Sequence, residues 1–232
     1  MADPETIAQN IRFLQKKIAA ACETAGRRPE SVHLIAVGKT FGAEKIRSAV
    51  AAGARNIGEN YMQESINKMS QLSDLTIVWH FIGRLQKNKA RDAARHFDWV
   101  HTVENAALAR RLSAARNGMP PLNICLQINI DREESKGGVA PEDAAPLARE
   151  IYRLPALRLR GLMAIPRPRG DSEDKRVPVR ALAALRTEIA RAAGAPLDAL
   201  SIGMSDDFED AVAEGATHVR IGRAIFGERE TP

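Results

Sequence analysis

Short apolar runs alternate with longer amphipathic runs along almost the whole chain. The apolar runs have the length of strands and begin at eight places: Val32, Ala54, Thr76, Asp98, Leu122, Leu157, Asp198 and Thr217. The stretches between them, such as AEKIRSAVAAG and RVPVRALAALRTEIARAAG, are rich in residues that favour helices. Strands that alternate with helices predict a parallel sheet whose strands are joined by right-handed crossovers.

The number of units favours a closed barrel. Eight strand–helix units without a compositional break predict an α/β fold with one (β/α)8 TIM-type barrel, a single domain over residues 1–232. A doubly wound open sheet is the main alternative. An extra N-terminal helix precedes the barrel, because Asp3 can cap it, Pro4 fits its first turn and apolar residues recur at helical steps as far as Cys22. The polar, proline-rich stretch that begins at Ile165 predicts a long loop after the sixth strand.

Composition places the chain among folded proteins with a buried core, since 44% of its residues are hydrophobic and 27% are charged. Aromatic residues make up only 4%, which leaves little material for an aromatic platform that stacks single-stranded nucleic acid. No apolar run approaches the roughly 20 residues that span a bilayer, and the start MADPETIAQN lacks the pattern of a signal peptide. We therefore expect a cytoplasmic protein with no membrane partner, in which Cys22 and Cys125 are free, buried thiols.

The net charge of +5 suits anionic ligands in general without identifying one. The run GRLQKNKARDAARH, from residue 83 to residue 96, could bind nucleic acid through counterion release. Such a run is more often a solvated helix face, and we expect no nucleic-acid partner. Histidine and cysteine residues show no metal-ligand spacing, so we also expect no metal site.

Lys39 is the first candidate for chemistry, because it directly follows the first predicted strand. It has the same parity as Ile35 and Val37, so the period-two alternation of a strand would direct its amine toward the barrel axis. Barrels carry their functional groups at the carboxyl ends of the strands. A desolvated amine loses its proton more easily and can condense with an aldehyde to a Schiff base, although a lysine at a strand end is more often an exposed charge.

The last two units suggest an anion site. Ser205 lies where the seventh strand runs into a helix, and the free N–H groups of such a turn can bind an anion, although Asp206 and Asp207 fit equally well as helix caps. In the eighth strand, Arg220 and Gly222 share one face, and the glycine lets a ligand approach the main chain. The final segment RAIFGERE predicts the short helix that often points its positive end at a phosphate in barrels.

Taken in order, the motifs resemble the family of pyridoxal 5′-phosphate homeostasis proteins, also known as proline synthase co-transcribed homologues. The matching segments are AVGKT (36–40), NIGENYMQE (56–64), WHFIGRLQKNK (79–89), HTVEN (101–105), GLMAIP (161–166) and LSIGMSDDFEDAVAEGATHVRIGRAIFG (200–227). Such proteins look like the barrel domain of alanine racemase without its second domain. The resemblance therefore implies pyridoxal 5′-phosphate as the cofactor.

The resemblance also implies seven cofactor-binding residues: Lys39, Asn60, Met163, Ser205, Arg220, Gly222 and Arg223. Lys39 would hold the cofactor aldehyde as a Schiff base. Ser205 and the main-chain N–H groups of Gly222 and Arg223 would bind the phosphate, and Arg220 would face the pyridine nitrogen. Asn60 and Met163 would lie near the pyridine ring or its substituents.

Two positions depart from the family pattern. The family usually has serine before the lysine, where this chain has Gly38, and often threonine or serine after the last-strand glycine, where this chain has Arg223. If the second position normally adds a hydroxyl to the phosphate site, that contact is lost here. The main-chain donor is kept, and the guanidinium offers a replacement.

The predicted site favours binding over catalysis. An arginine beside the pyridine nitrogen disfavours its protonation, and a neutral pyridine is a poorer electron sink. Alanine racemase supplies a second acid/base from its additional domain across a dimer interface, and this sequence leaves no segment for that domain. We therefore expect a monomeric, non-catalytic protein that buffers pyridoxal 5′-phosphate or delivers it to client enzymes that depend on it.

The alternative is a small amino-acid racemase in which Tyr61, His80 or His101 acts as a base. Lys136, in the SKGG turn, could hold a second cofactor, although a solvated loop lysine is the more common case.

Overall fold

Eight parallel strands close into a barrel in which strands that follow one another along the chain are also neighbours in space, and β8 pairs with β1. The computed structural model describes residues 2–134, 136–170 and 173–228. The strands are β1 His33–Val37, β2 Asn56–Glu59, β3 Val78–Phe81, β4 Trp99–Val103, β5 Leu122–Ile128, β6 Leu157–Ala164, β7 Ala199–Ser201 and β8 His218–Ile221. Seven of them lie within a predicted strand segment, and β2 begins inside the run that starts at Ala54 and ends one residue beyond it. The (β/α)8 prediction is confirmed, and the open sheet is excluded because its two edge strands would stay unpaired.

The helices surround the barrel and alternate with its strands. They are α1 Pro4–Thr24, α2 Ala43–Ala51, α3 Met62–Gln71, α4 Ala90–His96, α5 Ala106–Arg116, α6 Pro141–Tyr152, α7 Val177–Ala193, α8 Phe208–Ala213 and α9 Arg223–Phe226. The long loop predicted after β6 is present at 165–176, of which residues 171 and 172 lie outside the described part. The terminal helix α9 ends at Phe226, before the end of the predicted segment, whose residues 229 and 230 are also outside the described part.

The extra N-terminal helix has the predicted start and face. The Asp3 carboxylate accepts a hydrogen bond of 2.8 Å from the Thr6 N–H, and Pro4 occupies the first turn. The buried face of α1 runs from Ile7 to Cys22 and packs mainly against α2 and α8. Burial of these apolar side chains removes them from water and holds the helix on the barrel.

The interior of the molecule has two layers of different chemistry. The layer between the sheet and the helices is apolar and dominated by Ala, Leu, Ile and Val, as the composition predicts. Inside the barrel a small apolar cluster of Trp99, Cys125, Met163 and Ala199 shares the space with buried histidine, serine and arginine side chains. Cys22 and Cys125 are both buried and free, in agreement with prediction.

The carboxyl ends of all eight parallel strands meet at one rim of the barrel. The loops that follow β1, β2, β3, β6, β7 and β8 carry the residues of the site described below. In the described parts of the chain, no helix is long and apolar enough to cross a membrane. The same parts contain no cluster of three or more His, Cys, Asp or Glu residues that could hold a metal ion.

Candidate functional site

A cavity opens at this rim, and most of the predicted site residues line it. Its lining consists of Val37, Lys39, Asn60, Ile82, Ile165, Met204, Ser205, Asp206, Arg220, Gly222 and Arg223. These residues come from the ends of six strands and the loops after them, which are far apart in the sequence. The closed barrel is what brings them together.

Lys39 is half-buried on one side of the cavity, two residues beyond Val37. Its segment is held by main-chain contacts on both sides. The Gly38 N–H donates to the Gly58 carbonyl at 2.9 Å, and the Thr40 N–H donates to the Glu64 carboxylate at 2.7 Å. Thr40 has a φ of 70°, a left-handed conformation that is rare for a β-branched residue, so the turn after Lys39 is specified by its surroundings.

A buried ion cluster supports the same turn from outside the barrel, and we call its three members, Glu59, Glu64 and Lys68, the lysine-side network. The Lys68 ammonium donates to the Gly38 carbonyl at 2.7 Å, to Glu59 at 2.8 Å and to Glu64. The Glu59 side chain is fully buried, and its Oε2 has no hydrogen-bond partner. Burial raises the pKa of the Glu59 carboxyl to about 7, against the opposing effect of Lys68.

The opposite side of the cavity offers unpaired main-chain donors. The N–H groups of Ser205, Gly222 and Arg223 make no hydrogen bond to any described residue. A Cβ on Gly222 would lie 3.3 Å from the Val37 carbonyl and on the cavity side of β8, so glycine keeps this approach open. Three unpaired N–H groups around one cavity suit an anion.

The Arg223 guanidinium lies at the rim of the cavity. It is exposed and forms a 2.9 Å ion pair with Asp206 on the rim. Asp207 accepts a hydrogen bond of 2.6 Å from the Met204 N–H and occupies the cap position of α8. Asp207 therefore stands at the N-cap position without a side-chain hydrogen bond to the helix, whereas Asp206 pairs with the arginine.

Arg220 projects from β8 into the base of the cavity and is almost completely buried. Its guanidinium donates to the Ser201 hydroxyl at 2.8 Å and to the Ala164 carbonyl at 2.9 Å. Both acceptors are neutral, and burial lowers the pKa of the guanidinium to about 10. At neutral pH the cavity therefore contains a buried positive charge that no hydrogen-bonded carboxylate neutralises.

Asn60 and Met163 differ in their relation to the cavity. The Asn60 side chain lines it, and its Oδ1 is buried without a partner, as expected for an atom that awaits a ligand. A Cβ on Gly83 would collide with the Asn60 carbonyl, so the loop after β3 packs directly on this residue. Met163 is fully buried in the apolar cluster inside the barrel and is not part of the cavity lining. Its predicted position near the ring stays a prediction.

The residues considered as bases lie elsewhere. Tyr61 is 55% exposed and lines a neighbouring groove after β3. His80 and His101 are buried inside the barrel, outside the cavity lining. Lys136 forms an ion pair with Glu133 in the loop after β5, away from the cavity.

Sequence reasoning missed how the residues behind the cavity support the site: Lys68 and Ser201 were not singled out, and His80 and His101 were considered only as bases. Lys68 lies in the last turn of α3, where a lysine is usually solvated, so no pattern singled it out. Ser201, His80 and His101 were detectable, because each lies two positions after a residue that faces the barrel interior: Ala199, Val78 and Trp99. Strand parity, applied to all eight strands, was the available signal.

Comparison with known proteins agrees with this architecture. Residues 3–230 match the family described as "Alanine racemase, N-terminal domain", which defines the class of the barrel. Alanine racemase from Streptomyces lavendulae has the same fold, with a TM-score of 0.75 and 18% identity over 99% of this chain and 59% of the racemase. The likeness to that enzyme shows the fold alone.

Closer relatives are of the same length as this chain. The "Pyridoxal phosphate homeostasis protein" of Pseudomonas aeruginosa is 51% identical and covers 97% of this chain and 96% of its own. The Escherichia coli protein of the same name is 46% identical, with 97% of each chain covered. PipY of Synechococcus elongatus, solved with pyridoxal phosphate bound, has a TM-score of 0.83 and 37% identity over 95% of this chain and 100% of PipY. The chain belongs to the pyridoxal phosphate homeostasis protein family.

Proposed function

We propose that this protein binds pyridoxal 5′-phosphate as a Schiff base on Lys39 and buffers or delivers the cofactor without a turnover of its own. The observation that carries the proposal is the arrangement of the cavity. A half-buried lysine faces a group of unpaired N–H donors and a buried arginine that is hydrogen-bonded to no carboxylate, across one opening. The solved relative PipY binds the same cofactor.

Each functional part of the cofactor has a chemically suitable partner. The unpaired N–H groups of Ser205, Gly222 and Arg223 suit the phosphate, and Arg220 can donate to an unprotonated pyridine nitrogen. The unpartnered Asn60 Oδ1 suits a donor on the ring. The cofactor, when bound, supplies an aldehyde that reacts with a deprotonated lysine amine.

Buffering or delivery fits the exposure of the cavity. The rim side chains Met204 and Ile165 are partly exposed, and no described segment covers the opening. A cofactor held there can leave by hydrolysis of the Schiff base, and client enzymes that depend on it are the expected recipients. The racemase alternative requires a second base at the cavity, and the three candidates for that role lie outside its lining.

The test is covalent capture. The purified protein is loaded with pyridoxal 5′-phosphate, reduced with borohydride and mapped by mass spectrometry, beside Lys39→Ala and the control Lys87→Ala, an exposed lysine at the same end of the barrel. We expect one phosphopyridoxyl group on Lys39 in the native protein and the control, and none at this position in Lys39→Ala. Equal labelling of several lysines in the native protein would contradict the proposal.

A second measurement separates binding from turnover. The loaded protein is incubated with alanine or serine in deuterium oxide, and deuterium at the α-carbon is compared with free cofactor. We expect no excess over free cofactor. Incorporation far above that level would favour the racemase and overturn the non-catalytic proposal.

A further inference from the structure

A continuous chain of hydrogen bonds runs from Arg220 through the interior of the barrel. The Arg220 guanidinium contacts Ser201 Oγ at 2.8 Å, and Ser201 Oγ contacts His101 Nδ1 at 2.9 Å. His101 Nε2 contacts His80 Nδ1 at 2.9 Å, and His80 Nε2 contacts Asn56 Oδ1 at 3.1 Å. We call Ser201, His101, His80 and Asn56 the arginine-side chain. Together with Arg220 it links five strands and reaches from the cavity toward the opposite end of the barrel.

The chemistry of its two ends gives the chain one direction. Arginine has no acceptor, so Ser201 Oγ must accept from Arg220. The hydroxyl hydrogen of Ser201 then has one described acceptor, His101 Nδ1, and the neutral imidazole of His101 carries its proton on Nε2. His80 accepts the hydrogen bond from His101 Nε2–H at its Nδ1 and donates one from its Nε2–H to the Asn56 side-chain carbonyl oxygen. Every link then has one donor and one acceptor.

The reverse order fails at Ser201. If His101 donated from Nδ1, the serine oxygen would accept from both Arg220 and His101, and its own hydrogen would have no described acceptor. A positively charged His101 would cause the same conflict. Burial lowers the pKa of His80 and His101 well below 6.5, and the neighbouring histidines act in the same direction. Both rings are therefore neutral when the protein is folded near neutral pH.

The arginine-side chain is unusual because it gives the buried Arg220 guanidinium no carboxylate as a hydrogen-bond partner. A buried arginine is normally paired with a carboxylate, which neutralises it. Here only neutral acceptors hold the guanidinium, so its orientation is fixed while its charge is kept for whatever occupies the cavity. An acceptor that is neutral and unprotonated, such as a pyridine nitrogen, suits such a donor, whereas a protonated one is repelled.

We propose that Ser201, His101 and His80 are positioning residues for Arg220, which they orient through a one-way chain of hydrogen bonds without placing a negative charge against it. The role toward the pyridine rests on the proposed function. The proton order along the chain does not, because it is a property of the protein without ligand.

The first test therefore uses no cofactor. Long-range ¹H–¹⁵N spectra of protein labelled at histidine report which ring nitrogen carries a proton. We expect both His80 and His101 to be protonated at Nε2, unprotonated at Nδ1 and without titration from about pH 5 to about pH 8. A proton on Nδ1 of either ring, or titration of either ring near the ordinary histidine pKa, would overturn the proposed chain.

The second test measures affinity for pyridoxal 5′-phosphate in Ser201→Ala and in the control Cys125→Ala. Both variants remove one heavy atom from the barrel interior, and Cys125 belongs to its apolar cluster. We expect Ser201→Ala to weaken binding roughly tenfold and Cys125→Ala to change it by less than about twofold, because only the serine holds a charged donor. Ser201→Thr keeps the hydroxyl and should recover affinity to within about threefold of native.

The two proposals fail in different ways. Equal effects of Ser201→Ala and Cys125→Ala, in proteins that still label at Lys39, would overturn the positioning role alone. Absence of labelling at Lys39 in the native protein would overturn the proposed function. The proton order of the arginine-side chain would be unaffected, because the ¹H–¹⁵N spectra test it without cofactor.

Discussion

Two buried polar networks support the candidate site from opposite faces of the same sheet. The lysine-side network lies between β2 and α3, outside the barrel, and is built from charges. The arginine-side chain lies inside the barrel and is built from neutral groups. The first fixes the main chain around Lys39, and the second fixes a side chain, that of Arg220. Both orient a functional residue, but only the charged network neutralises the cation that it contains.

This difference gives the two networks opposite responses to pH. The Glu59 carboxyl has a pKa of about 7 when folded and an ordinary value of 4.5, so between these values the folded state binds more protons than the unfolded state. Its contribution to stability therefore falls as pH rises through this range. For His80 and His101 the folded pKa lies well below 6.5, so the unfolded state binds more protons below that pH. Their contribution is lost as pH falls.

The largest expected effect comes from removing the cation of the lysine-side network. Lys68→Met leaves Glu59 buried without its partner, which typically costs about 3–5 kcal/mol of the free energy of unfolding. Well below the pKa of Glu59 the carboxyl is neutral, so the cost should be smaller there than well above it. Urea unfolding at pH values on both sides of that pKa measures the difference.

Lys17→Met is the matched control for this change. The Lys17 ammonium pairs with Glu209 at 3.1 Å, but both side chains are about half exposed, and such pairs contribute below about 1 kcal/mol. We expect little dependence on pH in this variant. If Lys68→Met costs no more than Lys17→Met at any pH, the network does not stabilise the Lys39 turn as described.

A smaller effect on the free energy of unfolding should appear at acidic pH when a member of the arginine-side chain is replaced. His101→Gln removes a ring that is neutral when folded and protonated in the unfolded chain below pH 6.5. Whatever its stability at neutral pH, the variant should lose stability on acidification less steeply than native, by up to about 1.4 kcal/mol for each pH unit. Unfolding midpoints in a series of buffers below this pH give the slope.

His96→Gln provides the comparison, because His96 is exposed on α4. We expect the native slope for this variant. An unchanged slope in His101→Gln would mean that the His101 ring is protonated in the folded protein, and the neutral character of the chain would be disproved.

The contrast between the networks also explains how far sequence reasoning reached. Eight apolar runs with helices between them suffice for the barrel, because a closed parallel sheet follows from the count and order of its strands. The rim residues were predicted from family motifs, and six of those seven line one cavity. Lys68 was beyond reach, because its burial depends on how α3 lies on β2. The arginine-side chain depends on side chains from five strands meeting at hydrogen-bond distance, which strand parity can suggest but not measure.

The smallest effect concerns the rim, where the family resemblance predicts a hydroxyl residue and this chain has Arg223. Its guanidinium pairs with Asp206 in the open, so Arg223→Thr should change the free energy of unfolding by less than about 0.5 kcal/mol. Because Asp206 already offsets the charge of the Arg223 guanidinium, loss of that charge should affect cofactor binding less than the new hydroxyl beside the unpaired N–H groups does. Affinity for pyridoxal 5′-phosphate should therefore rise about threefold. Arg223→Ala, which lacks the hydroxyl, should show no gain. Affinity that falls in both variants would mean that the guanidinium leaves Asp206 for the phosphate, and that this exposed arginine, unlike Arg220, is oriented by the ligand itself.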